Sequence, residues 1–271
     1  MKRGLCLAGL MLVLGLGLAL PAGAQCERPY KVGVSPLGWA VFEQDRRLQG
    51  IVPDLMQALA ARSGCTLELA LRPRARVLLE FSTGQLDLIT SSLPTPERDA
   101  VGQFVPYSFT ELDLVVRDSV PRHVDTAAKL LRQDGLNLGL VRGVHQGPGL
   151  APVIARLSEL GRVELASDFE NLAVRLNAGR FDAAIYPSAI HTKQIHDGLL
   201  DARVRVIDIP ESQPLAIGVY LQRQSISEAD RRRLDTALRQ IVQDGVVEAI
   251  YRKYLSAEEV RRLFKATLHK P

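Results

Sequence analysis

The feature that most limits the fold is a regular alternation of short apolar segments with segments of helical periodicity. Strands are predicted over 30–35, 66–71 and 86–90. Between them, apolar residues at helical spacing predict two helices, which end at Gly64 and Gly84. This order favours a parallel sheet flanked by helices, in which the loops at the carboxyl ends of the strands collect the functional site.

The alternation continues into a second unit. Strands are predicted over 112–117, 137–141, 163–166, 181–186 and 215–221, with helices over 126–132, 149–160 and 169–178. Helices over 227–243, 246–254 and 257–268 close the chain. We therefore expect an α/β fold of two lobes, residues 25–110 plus 212–271 and residues 111–211. Each lobe is expected to have a mainly parallel sheet, with two hinge strands joining the lobes and a ligand cleft between them.

The first 24 residues have the pattern of a cleaved secretory signal. Lys2 and Arg3 precede an apolar run, and small residues up to Ala24 form a cleavage site. The alternative, an uncleaved anchor, is disfavoured because the run is short for a bilayer span. We expect export to the periplasm. Cleavage would remove Lys2 and Arg3 but no acidic residue, which lowers the formal charge from +4 to +2. The sequence has no run of like charges that would indicate nucleic-acid binding.

Two cysteines remain after the signal. Cys26 and Cys65 each stand directly before a predicted strand. If these strands are parallel neighbours, both cysteines lie at the same end of the sheet, within bridging distance. An exported chain with two cysteines therefore predicts a Cys26–Cys65 disulfide, the alternative being two separate thiols.

The stretch GQLDLITSSLPTPER, residues 84–98, predicts an anion site. A short apolar strand delivers small hydroxyl residues into a loop that closes on Arg98. A guanidinium matches a carboxylate with two parallel hydrogen bonds. The alternative for Arg98 is a surface ion pair with Glu97 or Asp99.

Seven segments together resemble the type II periplasmic solute-binding proteins of family 3, which include polar amino-acid binding proteins. They are VGVSPLGWAVF, GIVPDLMQALAARSG, GQLDLITSSLPTPER, FVPYSFTELDLVVR, LGLVRGVHQG, LNAGRFDAAIYPSA and DTALRQIVQDGVVEAIYRKYL. Their order and spacing cover nearly the whole exported chain. The resemblance implies a two-lobed fold whose first lobe is completed by the C-terminal helices.

The resemblance also implies a set of ligand-binding residues. Arg98 would grip a ligand carboxylate, and Trp39 would cover the ligand unless it serves in hinge packing. The remaining positions are the donors Thr90 and Ser91, the backbone N–H of Leu93, and the turn of Arg142, His145 and Gln146, which is expected at a helix start. Arg74 and Arg76, at the start of a predicted helix, would add positive charge near the cleft.

Two departures from the family concern the ligand. The acidic residues that hold an amino acid's ammonium group in the family fall on Ser35 and Pro187. An ammonium group would then enter the cleft without a counter-charge, which is costly. We therefore predict a small carboxylate-bearing ligand, either an organic acid or an atypical amino acid.

The predicted function is that of a monomeric binding protein, not an enzyme, which delivers its ligand to an ABC permease without a cofactor or metal. His191 and His196 are five residues apart, which does not place two metal ligands on one helix face. Two alternatives stay open: an enzyme on the same fold, similar to cyclohexadienyl dehydratase with His145 as general acid, and a sensory module that docks on a membrane receptor.

Overall fold

A computed structural model describes residues 25–265. The predicted signal peptide, residues 1–24, lies outside them. The strands are β1 (Tyr30–Val34), β2 (Phe42–Gln44), β3 (Arg47–Gln49), β4 (Leu67–Leu71), β5 (Leu88–Ser92), β6 (Gly102–Thr110), β7 (Leu112–Val116), β8 (Leu138–Val141), β9 (Val163–Ala166), β10 (Ala183–Pro187), β11 (Arg205–Asp208) and β12 (Leu215–Gln222). The helices are α1 (Ile51–Ser63), α2 (Arg74–Ser82), α3 (Pro96–Val101), α4 (Ala127–Arg132), α5 (Ala151–Glu159), α6 (Phe169–Asn177), α7 (Ser188–His196), α8 (Glu228–Gln243), α9 (Val246–Tyr251) and α10 (Ala257–Leu263).

The chain forms two lobes, each built on a five-stranded mixed sheet. The first sheet has the order β4-β1-β5-β12-β6, and the second has the order β11-β7-β10-β8-β9. In the first sheet β1 is parallel to β4 and β5, whereas β12 is antiparallel to β5 and β6. The second sheet repeats this arrangement, with β8 parallel to β9 and β10, and β7 antiparallel to β10 and β11. The antiparallel pairs involve the strands that lead from one lobe to the other.

Two connections cross between the lobes. Glu111 alone separates β6 of the first sheet from β7 of the second. The second crossing runs from β11 to β12 through residues 209–214. Two short crossings of this kind are typical of a hinge.

The first lobe has a core to which both ends of the chain contribute. Helix α1 buries Leu55 and Leu59, which recur at helical spacing, and ends at Gly64 in the left-handed conformation with φ 74°. Leu238 of α8 and Val260 of α10 belong to the same apolar cluster. The C-terminal helices therefore complete the first lobe, as the family resemblance implies.

The Cys26–Cys65 disulfide is present. Because β1 and β4 are parallel neighbours, with Tyr30 opposite Leu67, the residues before both strands lie at the same end of the sheet. The two Cα atoms are 4.9 Å apart, within the usual range for a disulfide.

Several elements differ from the predictions. Strand β6 contains Pro106, and the hairpin β2–β3 turns at Asp45 and Arg46, whose φ angles are 51° and 60°. Neither element was predicted, and α3, α7 and β11 were also missed. Among residues 25–265, no helix combines the length and the apolar character of a membrane span.

Candidate functional site

The carboxyl end of β5 forms the centre of the candidate site. Thr90 is buried, and Ser91 next to it has a φ of 47°, which is rare for a residue with a side chain. Ser91 Oγ shares a hydrogen bond of 3.2 Å with the phenol of Tyr107 on β6. Backbone strain of this kind costs about 1–3 kcal/mol and is typical of ligand clamps.

Arg98 lies half-buried in the short helix α3, just after this strand end. Its Nη1 donates to the carbonyl of Leu93 at 2.7 Å. Thr95 begins the helix, its Oγ1 accepting from the N–H of Arg98. The phenol of Tyr220 on β12 donates to Asp99 at 2.6 Å. Asp99 is thus bound to the hinge strand and forms no ion pair with Arg98.

Arg74, the first residue of α2, reaches the same strand end from the other side. Its Nη1 lies 3.2 Å from the carbonyl oxygen of Thr90. Its Nη2 lies 3.4 Å from the carbonyl oxygen of Ser91 and 3.2 Å from Ser92 Oγ. The structure therefore brings Arg74 and Arg98 to opposite ends of one four-residue segment, 90–93.

Neither guanidinium has a carboxylate partner within residues 25–265. Burial and the positive charge of Arg98 lower the pKa of Arg74 to about 10, and Tyr107 offsets part of this. Burial also lowers the pKa of Arg98. Both groups stay charged at neutral pH, and the charge of Arg98 disfavours the charged form of Arg74. An anion placed between them would remove this penalty.

Two neutral phenols lie next to the end of β5, where Tyr107 contacts Ser91 and Tyr251 contacts Tyr107. Tyr107 and Tyr251 are both buried, and burial raises the pKa of each phenol. Sequence reasoning missed Tyr107 because it did not recognise β6 as a strand. The alternation of buried residues along β6, with Val105 and Tyr107 fully covered, was the available signal.

Trp39 lies in the contact between the two lobes. On the first lobe its ring packs against Phe42 and Tyr254, with centroids 5.6 and 6.1 Å away. On the second lobe it meets α7, where the ring of His196 is 5.2 Å away and Lys193 Nζ lies 4.9 Å above the indole. These contacts match the hinge-packing alternative. A contact of Trp39 with ligand stays a prediction.

Gly38, next to Trp39, is where the backbones of the two lobes approach closely. The N–H of Trp39 donates to the carbonyl of Ala189 at 2.8 Å. Gly38 has a φ of 55°, and a Cβ there would lie 2.3 Å from that carbonyl oxygen and 2.6 Å from Ile190 Cα. Only glycine fits this contact without displacing one lobe from the other.

The turn with Arg142, His145 and Gln146 follows β8 on the second lobe. Arg142 and His145 are exposed and Gln146 is half-buried, while His145 Nδ1 accepts from the N–H of Gly147 at 3.3 Å. The expectation that this turn starts a helix is wrong. Helix α5 begins at Ala151, because Gly147, Pro148 and Gly149 intervene.

Arg76 is placed differently from Arg74. Its side chain is exposed on α2 and pairs with Glu80 one turn later, with Nε 2.5 Å from Oε1.

The positions that carry acids in the family are Ser35, at the end of β1, and Pro187, the residue that precedes α7. Ser35 Oγ is buried and finds no hydrogen-bond partner in the part of the chain that the structure describes. In that same part, no cluster of His, Cys, Asp and Glu is arranged to hold a metal ion.

Three solved structures share this architecture. An ancestral arginine-binding protein bound to arginine superposes with a TM-score of 0.70 at 19% identity, covering 86% of this chain and 100% of that chain. The arginine-, lysine-, histidine-binding protein ArtJ from Geobacillus stearothermophilus gives 0.68 at 19% identity, with the same coverage. A histidine kinase sensor domain with similarity to periplasmic binding proteins gives 0.69 at 18% identity, covering 84% and 96%. At such identities the likeness concerns the fold.

The sequence itself matches one family model. Comparison with curated proteins gives no match. The model of the bacterial extracellular solute-binding proteins, family 3, matches residues 31–257, which include both sheets, the two crossings and the segment between Arg74 and Arg98. This chain belongs to the bacterial extracellular solute-binding proteins of family 3.

Proposed function

We propose that this protein is a periplasmic solute-binding protein that closes around a small carboxylate-bearing ligand and presents it to an ABC permease. The observation that carries the proposal is the pair Arg74 and Arg98. Both are half-buried at the end of β5 and lack a carboxylate partner within residues 25–265. Removing a positive charge even partly from water without a carboxylate partner is costly, so a bound anion would stabilise this arrangement.

The fold supports this role. Two lobes joined by short crossings can close over a ligand, and closure gives a permease a shape that it can distinguish from the open form. The Gly38 contact with Ala189 and Ile190 is a place where the lobes meet closely. Enclosure also strengthens each ligand contact, because water is excluded.

The arginine-binding relatives accept a cationic amino acid, whereas the charges here favour an anion. Ser35 and Pro187 stand where acids would hold an ammonium group, and Arg74 adds a cation at the end of β5. An organic acid, or an amino acid whose ammonium group is modified, fits these charges better than a standard amino acid.

The test is to identify a co-purified small molecule by native mass spectrometry and to measure its affinity by calorimetry. Arg98→Ala should weaken binding by about 2–5 kcal/mol if the charge pair is enclosed. Arg239→Gln is the matched control, since Arg239 is exposed on α8 and pairs with Asp235. Unchanged affinity in Arg98→Ala would place the ligand elsewhere, and tight binding of standard amino acids alone would refute the organic-acid assignment.

A sensory role is the second candidate, because one structural relative is a histidine kinase sensor domain. The same ligand-driven closure would then act on a membrane receptor. Pull-down of the ligand-bound protein from membranes distinguishes the two: recovery of a permease supports transport, and recovery of a receptor kinase supports sensing.

The enzymatic alternative gains no support from His145. Its side chain is exposed, and its Nδ1 is bound to the backbone of its own turn. A general acid needs to reach the reacting group within hydrogen-bond distance. Formation of product from prephenate or arogenate by the purified protein would revive this alternative.

A further inference from the structure

We propose that Arg74 makes the site at the end of β5 selective for ligands that carry two negative charges, and that the ligand class is small dicarboxylates. This inference rests on the proposed function, because it concerns the ligand of the same site. It goes further in assigning a specificity-determining role to Arg74 and in excluding monocarboxylates and zwitterions as the preferred ligands.

The geometry places two cations on one short segment. Arg98 binds the carbonyl of Leu93 at 2.7 Å, and Arg74 lies 3.2 and 3.4 Å from the carbonyl oxygens of Thr90 and Ser91. The two guanidinium groups therefore approach the same four residues from α3 and from α2. Each has further N–H donors, which these contacts do not use.

The contacts of Arg74 are unlike those of an arginine with a purely structural role. Arg162 offers the comparison within this chain, because it binds the carbonyls of Leu130, Leu131, Leu136 and Gln133 at 2.7–2.9 Å. The three contacts of Arg74 are all 3.2–3.4 Å long, at or beyond the outer limit of a good N–H···O bond. Arg162 therefore makes four short hydrogen bonds to backbone carbonyls, whereas the three contacts of Arg74 are longer and weaker.

The position of Arg74 on its helix adds to the positive potential. Arg74 is the first residue of α2, and the first turn of α2 contains no acid. A cation at the amino end of a helix is disfavoured by the helix dipole. Burial and the charge of Arg98 separately lower the pKa of Arg74. A fixed cation at this place is explained if a ligand anion compensates it.

The charge balance then decides the ligand class. Tyr107 and Ser91, next to Arg74, carry no charge at neutral pH, and burial raises the pKa of Tyr107. Glu97 and Asp99 flank Arg98 in α3 and favour its charged form, but among residues 25–265 neither forms an ion pair with it, and Asp99 is bound by Tyr220. With two cations and no carboxylate paired with either, a monocarboxylate would leave one guanidinium without an anionic partner. A net-neutral zwitterion would leave both positive charges uncompensated, because its own two charges cancel. A dicarboxylate would compensate both positive charges, and each of its carboxylates can accept two parallel hydrogen bonds from one guanidinium group.

The experiment compares dicarboxylates with their monoamides by calorimetry on the purified protein. The probes are succinate, glutarate and adipate, with succinamate and glutaramate as matched monoanions and glutamine as the net-neutral zwitterion. We expect at least one dicarboxylate to bind about 30-fold more tightly than its monoamide and than glutamine. Arg74→Gln should weaken dicarboxylate binding about 30-fold and leave monoamide binding within about threefold of the original.

A second variant separates charge from fold. Arg74→Lys keeps the charge and loses the planar fork, so it should recover part of the affinity that Arg74→Gln loses. Circular dichroism of each variant checks that the lobes are intact. Equal affinity for dicarboxylate and monoamide, or equal loss of both in Arg74→Gln, would overturn the inference.

The outcomes separate this inference from the proposed function. If only monocarboxylates or amino acids bind, and Arg98→Ala abolishes that binding, the proposed site stands and the dicarboxylate assignment falls. If dicarboxylates bind and Arg98→Ala has no effect, the site itself is misplaced and both fall. If no probe binds, the inference that the ligands are small dicarboxylates is overturned.

Discussion

Arg262 forms a bidentate ion pair with Asp113, which lies 149 residues earlier in the chain. Nη1 of Arg262 lies 2.6 Å from Oδ1 of Asp113, and Nη2 lies 3.0 Å from Oδ2. His191 Nε2 contacts the same carboxylate at 2.7 Å. Asp113 belongs to β7 of the second lobe, whereas α10, which carries Arg262, packs on the core of the first lobe. The pair therefore joins the two lobes next to the hinge.

Removing Arg262 should destabilise the protein strongly. Asp113 is 1% exposed, and removing one partner of a buried ion pair costs about 3–5 kcal/mol. Urea denaturation of Arg262→Gln should report a loss of this size. Arg261→Gln is the control, because Arg261 is the exposed neighbour on α10. A loss below about 1 kcal/mol would mean that the pair behaves as a surface ion pair.

The stability of the protein should depend on pH through Asp113. Burial by itself would raise the pKa of Asp113, but the hydrogen bonds from His191 and Arg262 and their charges outweigh it and lower the pKa. Glu111, Glu259 and Asp208 also surround this cluster. Because the folded pKa lies below the unfolded value of about 3.9, the stabilisation is complete above that pH. It is lost as the pH falls through the lower, folded pKa.

The comparison of wild type with Asp113→Asn isolates this contribution. The free energy of unfolding should differ most near about pH 6, where Asp113 is charged. The difference should shrink towards about pH 2, because a protonated Asp113 resembles asparagine. Urea denaturation at both pH values measures it, and a difference that stays constant would contradict the assigned pKa shift.

Gly38→Ala should shift the protein towards an open form and weaken ligand binding. A Cβ at this position would lie 2.3 Å from the carbonyl oxygen of Ala189 on the other lobe. Gly64→Ala is the matched control, because Gly64 also has a left-handed φ, of 74°, but nothing lies within 4 Å of its Cβ position. Small-angle scattering should show a larger radius of gyration for Gly38→Ala only. Equal radii for both variants would show that the contact does not control closure.

Loss of the disulfide should lower stability without changing the ligand site. Cys26 and Cys65 are 39 residues apart, and the loop-closure relation gives about 4 kcal/mol for a bridge over such a span. The variant with both cysteines changed to serine should lose about this amount in urea denaturation. The bridge precedes β1 and β4, so it lies at the end of the sheet opposite to Ser91. The ligand affinity of the double variant should therefore stay unchanged. A change in affinity would indicate that the bridge also positions the site.

The regular part of the fold followed from the sequence. Strands β1, β4 and β5, with the helices between them, showed the periodicity expected of buried elements, and the pairing of β1 with β4 explains the predicted bridge between Cys26 and Cys65. The two-lobed α/β fold was confirmed. The residue bounds of the lobes and the ligand-binding residues stay predictions.

The missed elements have physical reasons. Strand β6 contains Pro106, which has no N–H to donate, but β6 lies at the edge of its sheet and Pro106 is paired at a bulge opposite Gly218. The β2–β3 turn uses Asp45 and Arg46 in left-handed conformations, where glycine or asparagine is the usual signal. Arg74 and Arg98 approach each other because α2 and α3 pack around the same strand, β5. The periodicity of each segment does not show this packing, so the proximity could not be predicted from that periodicity.

The position of Arg74 and Arg98 has a further consequence for the order of events in binding. Both guanidinium groups belong to the first lobe. Under the proposed function, an anion in solution would therefore be attracted to one half of the molecule before the lobes approach each other. The rate of association should therefore fall as salt screens this attraction, over about 10 Å at 0.1 M. The rate of dissociation depends instead on how readily the second lobe moves away. Under the proposed function, capture and enclosure would be separate steps that different halves of the chain can tune.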